Sequence, residues 1–232
     1  MPILTVGPTV KTIAFALMFL PGAAFAEATD FEDSEVGAFP AGWMSSMTHK
    51  GGDPLWQIAR DQSSPAGEKV LAQLSTDRTR DRFPLAIYSS TEVVDGSITV
   101  RFKPVSGRVD QAAGIVWRYR DENNYYLVRA NALEGNVILF KVENGDRSQI
   151  AYLGALNPQQ NSFAELPVPS QRWSTLGIDF VGPTFTVSFD GKKLFETRDG
   201  TFDGPGKVGL WTKADSVTYF DQFEMTPGAE RH

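Results

Sequence analysis

The sequence predicts an all-β fold, antiparallel strands packed as a sandwich or closed as a barrel, and three observations predict it. Apolar and polar residues alternate along Ile115–Arg120, Tyr125–Asn131 and Val137–Val142, the period of two that marks half-buried strands. Turn formers punctuate the chain about every ten residues, among them Asp121-Glu122-Asn123-Asn124, Glu134-Gly135-Asn136, Asn144-Gly145 and Asp190-Gly191. No stretch after the N-terminal segment carries the 3.6-residue period of an amphipathic helix.

The first segment is expected to lie outside the fold. Lys11 precedes an apolar run, Thr12 to Leu20, which ends at Pro21-Gly22, and Ala24-Phe25-Ala26 is a small-x-small cleavage site. Residues 1–26 therefore read as a secretory signal peptide, with the mature chain starting at Glu27 and delivered to the periplasm or the exterior. The run is shorter than the roughly 20 apolar residues of a membrane-spanning helix, and no later stretch is apolar enough to cross. The chain has no Cys, which rules out thiol chemistry, Cys-ligated metals and a lipid anchor on Cys. Residues 27–232 suffice for one large β-domain, and a domain of that size buries roughly 70% of its unfolded surface without needing disulfides. Acidic residues outnumber basic ones, 28 to 22, which argues against nucleic acid as a partner.

Strands are expected in order at Trp56–Asp61, Lys69–Ser75, Leu85–Ser90, Gly96–Lys103, Gly114–Arg120, Tyr125–Asn131 and Val137–Val142. They continue at Ile150–Leu153, Trp173–Val181, Phe185–Phe189, Lys193–Thr197, Val208–Lys213 and Val217–Met225. Asp190-Gly191 and Asn144-Gly145 are hairpin signals, because a two-residue turn with positive φ matches the twist of the flanking strands. Ser63–Gly67 and Asn157–Ser170, rich in Pro, Gln, Asn and Ser, read as surface loops.

Several segments carry a resemblance that covers nearly all of residues 27–232. Asp30-Phe31-Glu32 with Val36-Gly37-Ala38-Phe39-Pro40-Ala41-Gly42-Trp43 opens it, and Ala113-Gly114-Ile115-Val116-Trp117-Arg118-Tyr119 followed by Asn123-Asn124-Tyr125-Tyr126 forms its centre. Trp173-Ser174-Thr175-Leu176, Phe189-Asp190-Gly191, Gly206-Lys207-Val208-Gly209-Leu210-Trp211-Thr212 and Phe220-Asp221-Gln222-Phe223-Glu224 complete it. These segments resemble exported bacterial domains of the laminin-G/concanavalin A-like type, and the tail also resembles the 3-keto-disaccharide hydrolase domain. The resemblance implies a two-sheet antiparallel jelly-roll sandwich. It implies less about function, since that fold hosts lectins, glucanases, lyases and adhesion modules alike.

Catalytic constellations are missing from the sequence. The Glu-x-Asp-x-x-Glu strand of laminarinase-type glucanases does not occur. Asp221 and Glu224, like Glu196 and Asp199, are three apart, the wrong spacing for two residues on one face of a regular strand. His49 and His232 have no orienting partner at a readable spacing. The turn carboxylates Asp121, Glu122 and Glu134 lie near Arg118, Arg120 and Arg129, which favour the ionised form and disfavour a general acid.

A polar face remains. Strand alternation turns Ile98, Val100 and Phe102 inward and Arg101 and Lys103 outward, and turns Val208 and Leu210 inward and Trp211 and Lys213 outward. Treated the same way, Arg118, Tyr125, Arg129, Asn131 and Lys141 join them as candidate ligand-binding residues. A Trp ring packs on the apolar side of a pyranose, while Arg and Asn hydrogen-bond its hydroxyls or a carboxylate. The expected ligand is a saccharide. The acidic termini add a possible structural Ca²⁺, with Glu32 and Asp221 as its candidate ligands beside Asp30 and Asp33. Three functions fit: a non-catalytic carbohydrate-recognition domain, an enzyme on keto-sugars or related glycans, and a structural or protein-interaction domain.

Overall fold

The computed structural model describes residues 26–151 and 163–228. The signal at 1–26 therefore falls outside the described residues except for Ala26, as do His232 and residues 157–162 of the second expected loop. The strands are β1 (Glu27–Thr29), β2 (Trp43–Thr48), β3 (Trp56–Arg60), β4 (Lys69–Gln73), β5 (Phe83–Val93), β6 (Gly96–Ser106), β7 (Ala112–Asp121) and β8 (Asn124–Asn131). They continue as β9 (Asn136–Glu143), β10 (Asp146–Gln149), β11 (Phe163–Glu165), β12 (Ser174–Val181), β13 (Thr184–Phe189), β14 (Lys192–Arg198), β15 (Gly206–Trp211) and β16 (Val217–Pro227). Among the described residues there is no helix.

Two antiparallel eight-stranded sheets form a jelly-roll sandwich. Sheet A runs β14-β13-β12-β6-β16-β4-β3, with β1 pairing along β16, and sheet B runs β10-β9-β8-β7-β15-β5-β2, with β11 pairing along β9. The hairpin signals act as expected: Asn144 and Gly145 have φ of 52° and 88°, and Asp190 and Gly191 have 47° and 75°. Positive φ at both central residues is what a two-residue turn of this hand requires. Two differences matter later. No expected strand covers β2, and β10, Asp146–Gln149, ends before the strand expected at Ile150–Leu153, of which Ile150 lies outside any strand and Ala151 makes only an isolated bridge. Residues 152 and 153 of that expectation lie outside the described ones.

The main core lies between the sheets, with Ile98, Val100 and Phe102 of β6 meeting Ile115, Trp117, Tyr126 and Val128 of β7 and β8. Sheet A keeps a polar outer face, and β6 alternates buried and half-exposed residues along most of its length. Sheet B does not. A second cluster, including Phe83, Leu85, Val116, Tyr125, Leu127, Phe140 and Trp211, is buried on its outer face.

Sheet B encloses that face by rolling over it. The Ser46 and Tyr119 hydroxyls are 3.1 Å apart, and the Thr48 and Tyr125 hydroxyls 2.7 Å. Thr48 Oγ1 also donates to the Glu122 carbonyl at 2.6 Å. In a flat sheet β2 and β8, four strand spacings apart, would be separated by roughly 19 Å, well beyond the reach of these side chains. His49 extends the closure, its ring nitrogens 2.6 Å from the Asp81 carbonyl and 3.0 Å from the Gly145 carbonyl in the β9–β10 turn.

Candidate functional site

The rolled face of sheet B gathers aromatic and cationic side chains. Phe83, Phe140 and Trp211 come from three strands, and the Arg147 guanidinium stands over all three rings, 4.8, 4.7 and 5.9 Å from their centroids. Arg147 reaches them because it pairs with Val142 across the Asn144-Gly145 hairpin, and cross-strand partners share a face. Arg129 lies over the same Phe140 ring at 5.5 Å. Stacking of guanidinium planes on ring faces offsets part of the cost of burying these cations.

Beyond the aromatic floor runs a charged rim. Arg129 Nη2 donates to Glu134 Oε2 at 2.8 Å and to Asn136 Oδ1 at 2.5 Å. Asn131 Nδ2 donates to Asp110 Oδ1 at 2.5 Å, and Lys213 pairs with Asp110 Oδ2 at 2.9 Å. Burial pushes the Glu134 carboxyl up, but the Arg129 charge and hydrogen bonds, with Asn136 and Lys213, outweigh it and hold it below its usual value. The sequence expectation for this turn carboxylate therefore holds, and Glu134 is biased away from general-acid duty. Burial, then the neighbouring Arg129 charge, depress Arg147. Arg147 Nη1, Arg129 Nε and Trp211 Nε1 are all buried donors without a hydrogen-bond partner among the described residues. The Trp211 N–H points toward the Tyr125 hydroxyl but falls short of bonding geometry.

Five residues expected to line a ligand face, Tyr125, Arg129, Asn131, Trp211 and Lys213, thus lie on or beside one surface. The expectation of an exposed Trp211 is corrected: it is fully buried, as is Tyr125, because the roll of sheet B covers the side that alternation correctly assigns them. Three others go elsewhere. A bulge between Trp117 and Asp121 gives Arg118 a φ of 48° and turns it to the sandwich side. There it donates to the carbonyls of Val94, Gly182 and Phe202 at 2.6–3.1 Å and to Asp95 Oδ1 at 3.4 Å, a clamp on three connections. Lys141 shares the face of its partner Tyr126, opposite Arg129, and donates to Thr201 Oγ1 at 2.6 Å beside Asp199. Arg101 lies on the outer face of sheet A, across the whole sandwich. Arg147, by contrast, belongs to the site and was not expected.

The outer face of sheet A corrects two further expectations. A bulge between Asp221 and Glu224, where Gln222 has a φ of 45°, lets Phe220 and Phe223 both point inward and brings the two carboxylates onto the same outer face. Asp221 is wholly buried and accepts from Ser64 Oγ at 2.5 Å, from the Ala66 N–H at 3.2 Å and from the Gln222 N–H at 2.7 Å. Glu32 Oε1 accepts from the N–H groups of Glu68 and Lys69 at 2.9 and 2.6 Å. Each expected calcium ligand is thus committed to protein donors. Among the described residues no group of three or more His, Asp or Glu is placed to hold a metal, so this donor set does not fit Ca²⁺.

Comparison with solved structures matches this architecture. A carbohydrate binding module from Bacillus subtilis, CBM66, superposes with a TM-score of 0.57 at 20% identity, over 80% of this chain and 95% of that one. A Bacillus licheniformis β-glucanase gives 0.56 at 12% identity, over 90% and 100%. A protein of unknown function with a galectin-like fold, also from Bacillus subtilis, gives 0.55 at 14%, over 92% and 100%. At these identities the likeness establishes the jelly-roll sandwich. No protein-family model and no curated protein sequence matches the chain.

Proposed function

We propose that this chain is an exported saccharide-recognition domain that binds its ligand on the rolled face of sheet B and does not cleave it. The grouping that carries the reading is Arg147, partly exposed and held over the buried Phe83, Phe140 and Trp211 rings, with Glu134 and Asn136 at the solvent edge beside it. The rings fix the guanidinium, and the edge offers polar groups to sugar hydroxyls. The same fold carries a carbohydrate binding module and a glucanase, which makes a saccharide the natural ligand class to test. Recognition is favoured over hydrolysis because Glu134, on this face, is held ionised rather than poised as an acid. Export rests on the apolar run and cleavage site before Glu27. The first ladder pair of the fold, Glu27 with Met225, follows directly. Among the described residues no helix is long and apolar enough to cross a membrane.

A glycan array probed with residues 27–232, followed by product analysis on every hit, tests the reading. Binding without product, lost in Arg147→Gln, is the expected result. Binding unchanged in Arg147→Gln removes the site, and product release removes the non-catalytic role. A second reading, an enzyme on keto-sugars or related glycans, draws on the bulge that puts Asp221 and Glu224 on one face. There burial, with Asp30 nearby, raises the Asp221 carboxyl despite its three donors. It predicts turnover that disappears in Asp221→Asn and survives in Arg147→Gln.

A further inference from the structure

The donors on the rolled face of sheet B exceed its acceptors in a particular way. Lys213 is paired with Asp110, and one end of Arg129 with Glu134 and Asn136. Among the described residues Arg147 makes no salt bridge; it feels Asp110 and Glu134 at longer range and sits close enough to Arg129 for each charge to disfavour the other. Arg129, 2% exposed, still leaves its Nε–H unpaired, and the Nη1 of Arg147 and Nε1 of Trp211 are in the same condition. Buried N–H groups without partners are uncommon, and charged ones bear the full loss of hydration with nothing in return. Unpaired buried donors also occur at Trp56, Trp117 and Arg101, but among the described residues only this face sets two guanidiniums with unpaired N–H groups over one ring, and such a pair marks the place of an acceptor. Nearby cations favour an anionic acceptor over a neutral one, and the planar guanidinium fork matches the two oxygens of a carboxylate. The setting strengthens the point, since the chain as a whole has a net charge of −6 and would repel an anion elsewhere.

We infer that the saccharide taken by this face carries a carboxylate, as a uronic acid residue does, with the acid group on the solvent-reaching edge of Arg147, whose guanidinium the buried Phe83, Phe140 and Trp211 rings hold in place beside Arg129. This deepens the recognition reading above and rests on it. Trp211 and Arg129 are woven into the packing, so Arg147, whose side chain still reaches solvent, is the residue to vary.

Titration calorimetry with a panel of galacturonate and glucuronate oligosaccharides, each paired with its carboxyl-reduced neutral counterpart, separates the two levels of the inference. The acid form of at least one pair is expected to bind tenfold or more tighter than its reduced partner. Arg147→Gln, with an unchanged circular dichroism spectrum, should bring the two forms to within about twofold. Raising the salt concentration should weaken the acid form alone. Equal binding of acid and reduced forms, or an acid preference that survives in Arg147→Gln, overturns the carboxylate inference while leaving saccharide recognition standing. If neither form of any pair binds, both fall.

Discussion

Arg118 holds a positive φ inside a strand, a conformation that costs a non-glycine residue about 1–2 kcal/mol. It persists because the guanidinium, 1% exposed, closes the β5–β6 turn, the β12–β13 turn and the loop before β15 against one another. Arg118→Ala should therefore lower stability in urea unfolding by about 3–5 kcal/mol, since it takes the donor from buried carbonyls and the cation from beside Asp95. Arg118→Lys should recover little, because an ammonium lacks the fork that serves several acceptors at once. A loss below about 1 kcal/mol would dismiss the clamp. Nothing in the local sequence announces this role, since Arg118 sits among residues whose regular alternation points it the other way. Trp211 teaches the complementary lesson: alternation names the face of a side chain and says nothing about what closes over it. Its truncation to Ala should cost about 3–5 kcal/mol, as for a core Trp. Asp221 is shifted in the opposite sense to Asp61, Glu134 and Asp199, whose carboxyls their partners hold low. Its folded pKa lies above that of the unfolded chain, so its stabilising contribution is full below about pH 3.9 and is lost as pH rises through the folded value. As pH rises above about 4, the stability difference between Asp221→Asn and the parent should move in favour of the variant until Asp221 is ionised in the folded state. A pH-independent difference would contradict the raised pKa.

Among the elements, β2 and β10 carry the most structural meaning and were the least visible. Trp43–Thr48 reads Trp-Met-Ser-Ser-Met-Thr, with small polar residues at its centre and no clean alternation, yet it is the strand whose hydroxyls close the roll. Those bonds are made across the sheet to β7 and β8, so no short-range pattern reports them. The β10 strand was within reach of the sequence, since the two-residue turn at Asn144-Gly145 pairs Asp146 with Glu143 and so sets Arg147 beside Phe140 on one face. The closure can be dissected at Thr48. Its single hydroxyl proton goes to the Glu122 carbonyl, which only accepts, so the Tyr125 hydroxyl must donate to Thr48. Tyr125→Phe then removes one bond and leaves Thr48 satisfied, and should cost about 1 kcal/mol. Thr48→Val leaves both the Tyr125 hydroxyl and the Glu122 carbonyl unpaired and should cost about 2–3 kcal/mol. The reverse ranking in urea unfolding would show that the roll is held by packing alone.

For the whole molecule, the unequal treatment of the two sheets has a dynamic consequence. Sheet B is buried on both faces at its centre, where Ala112–Tyr119 and Tyr125–Asn131 have no exposed residue. Sheet A packs one face and leaves the other to solvent, with partly exposed strands such as β14 at its edge. The doubly covered strands are also the ones with near-continuous apolar runs, which is how burial on both faces appears in a sequence. The inter-sheet core and the rolled-face cluster share β5, β7, β8, β9 and β15, so neither can open without disrupting strands that the other needs. Unfolding should be a single transition by fluorescence and circular dichroism together. Amide exchange should be graded within it: the N–H groups of Ile115, Val116, Leu127 and Val128 should exchange only through global unfolding, while those of β14 exchange through smaller openings at lower free energy. Tyr125→Phe should then lower the protection of the β7 and β8 amides by the same amount that it lowers global stability. If β7 and β8 exchange as fast as β14, or the two probes melt apart, the rolled face is a loose appendage to the sandwich and cannot hold Arg129 and Arg147 in place for a ligand.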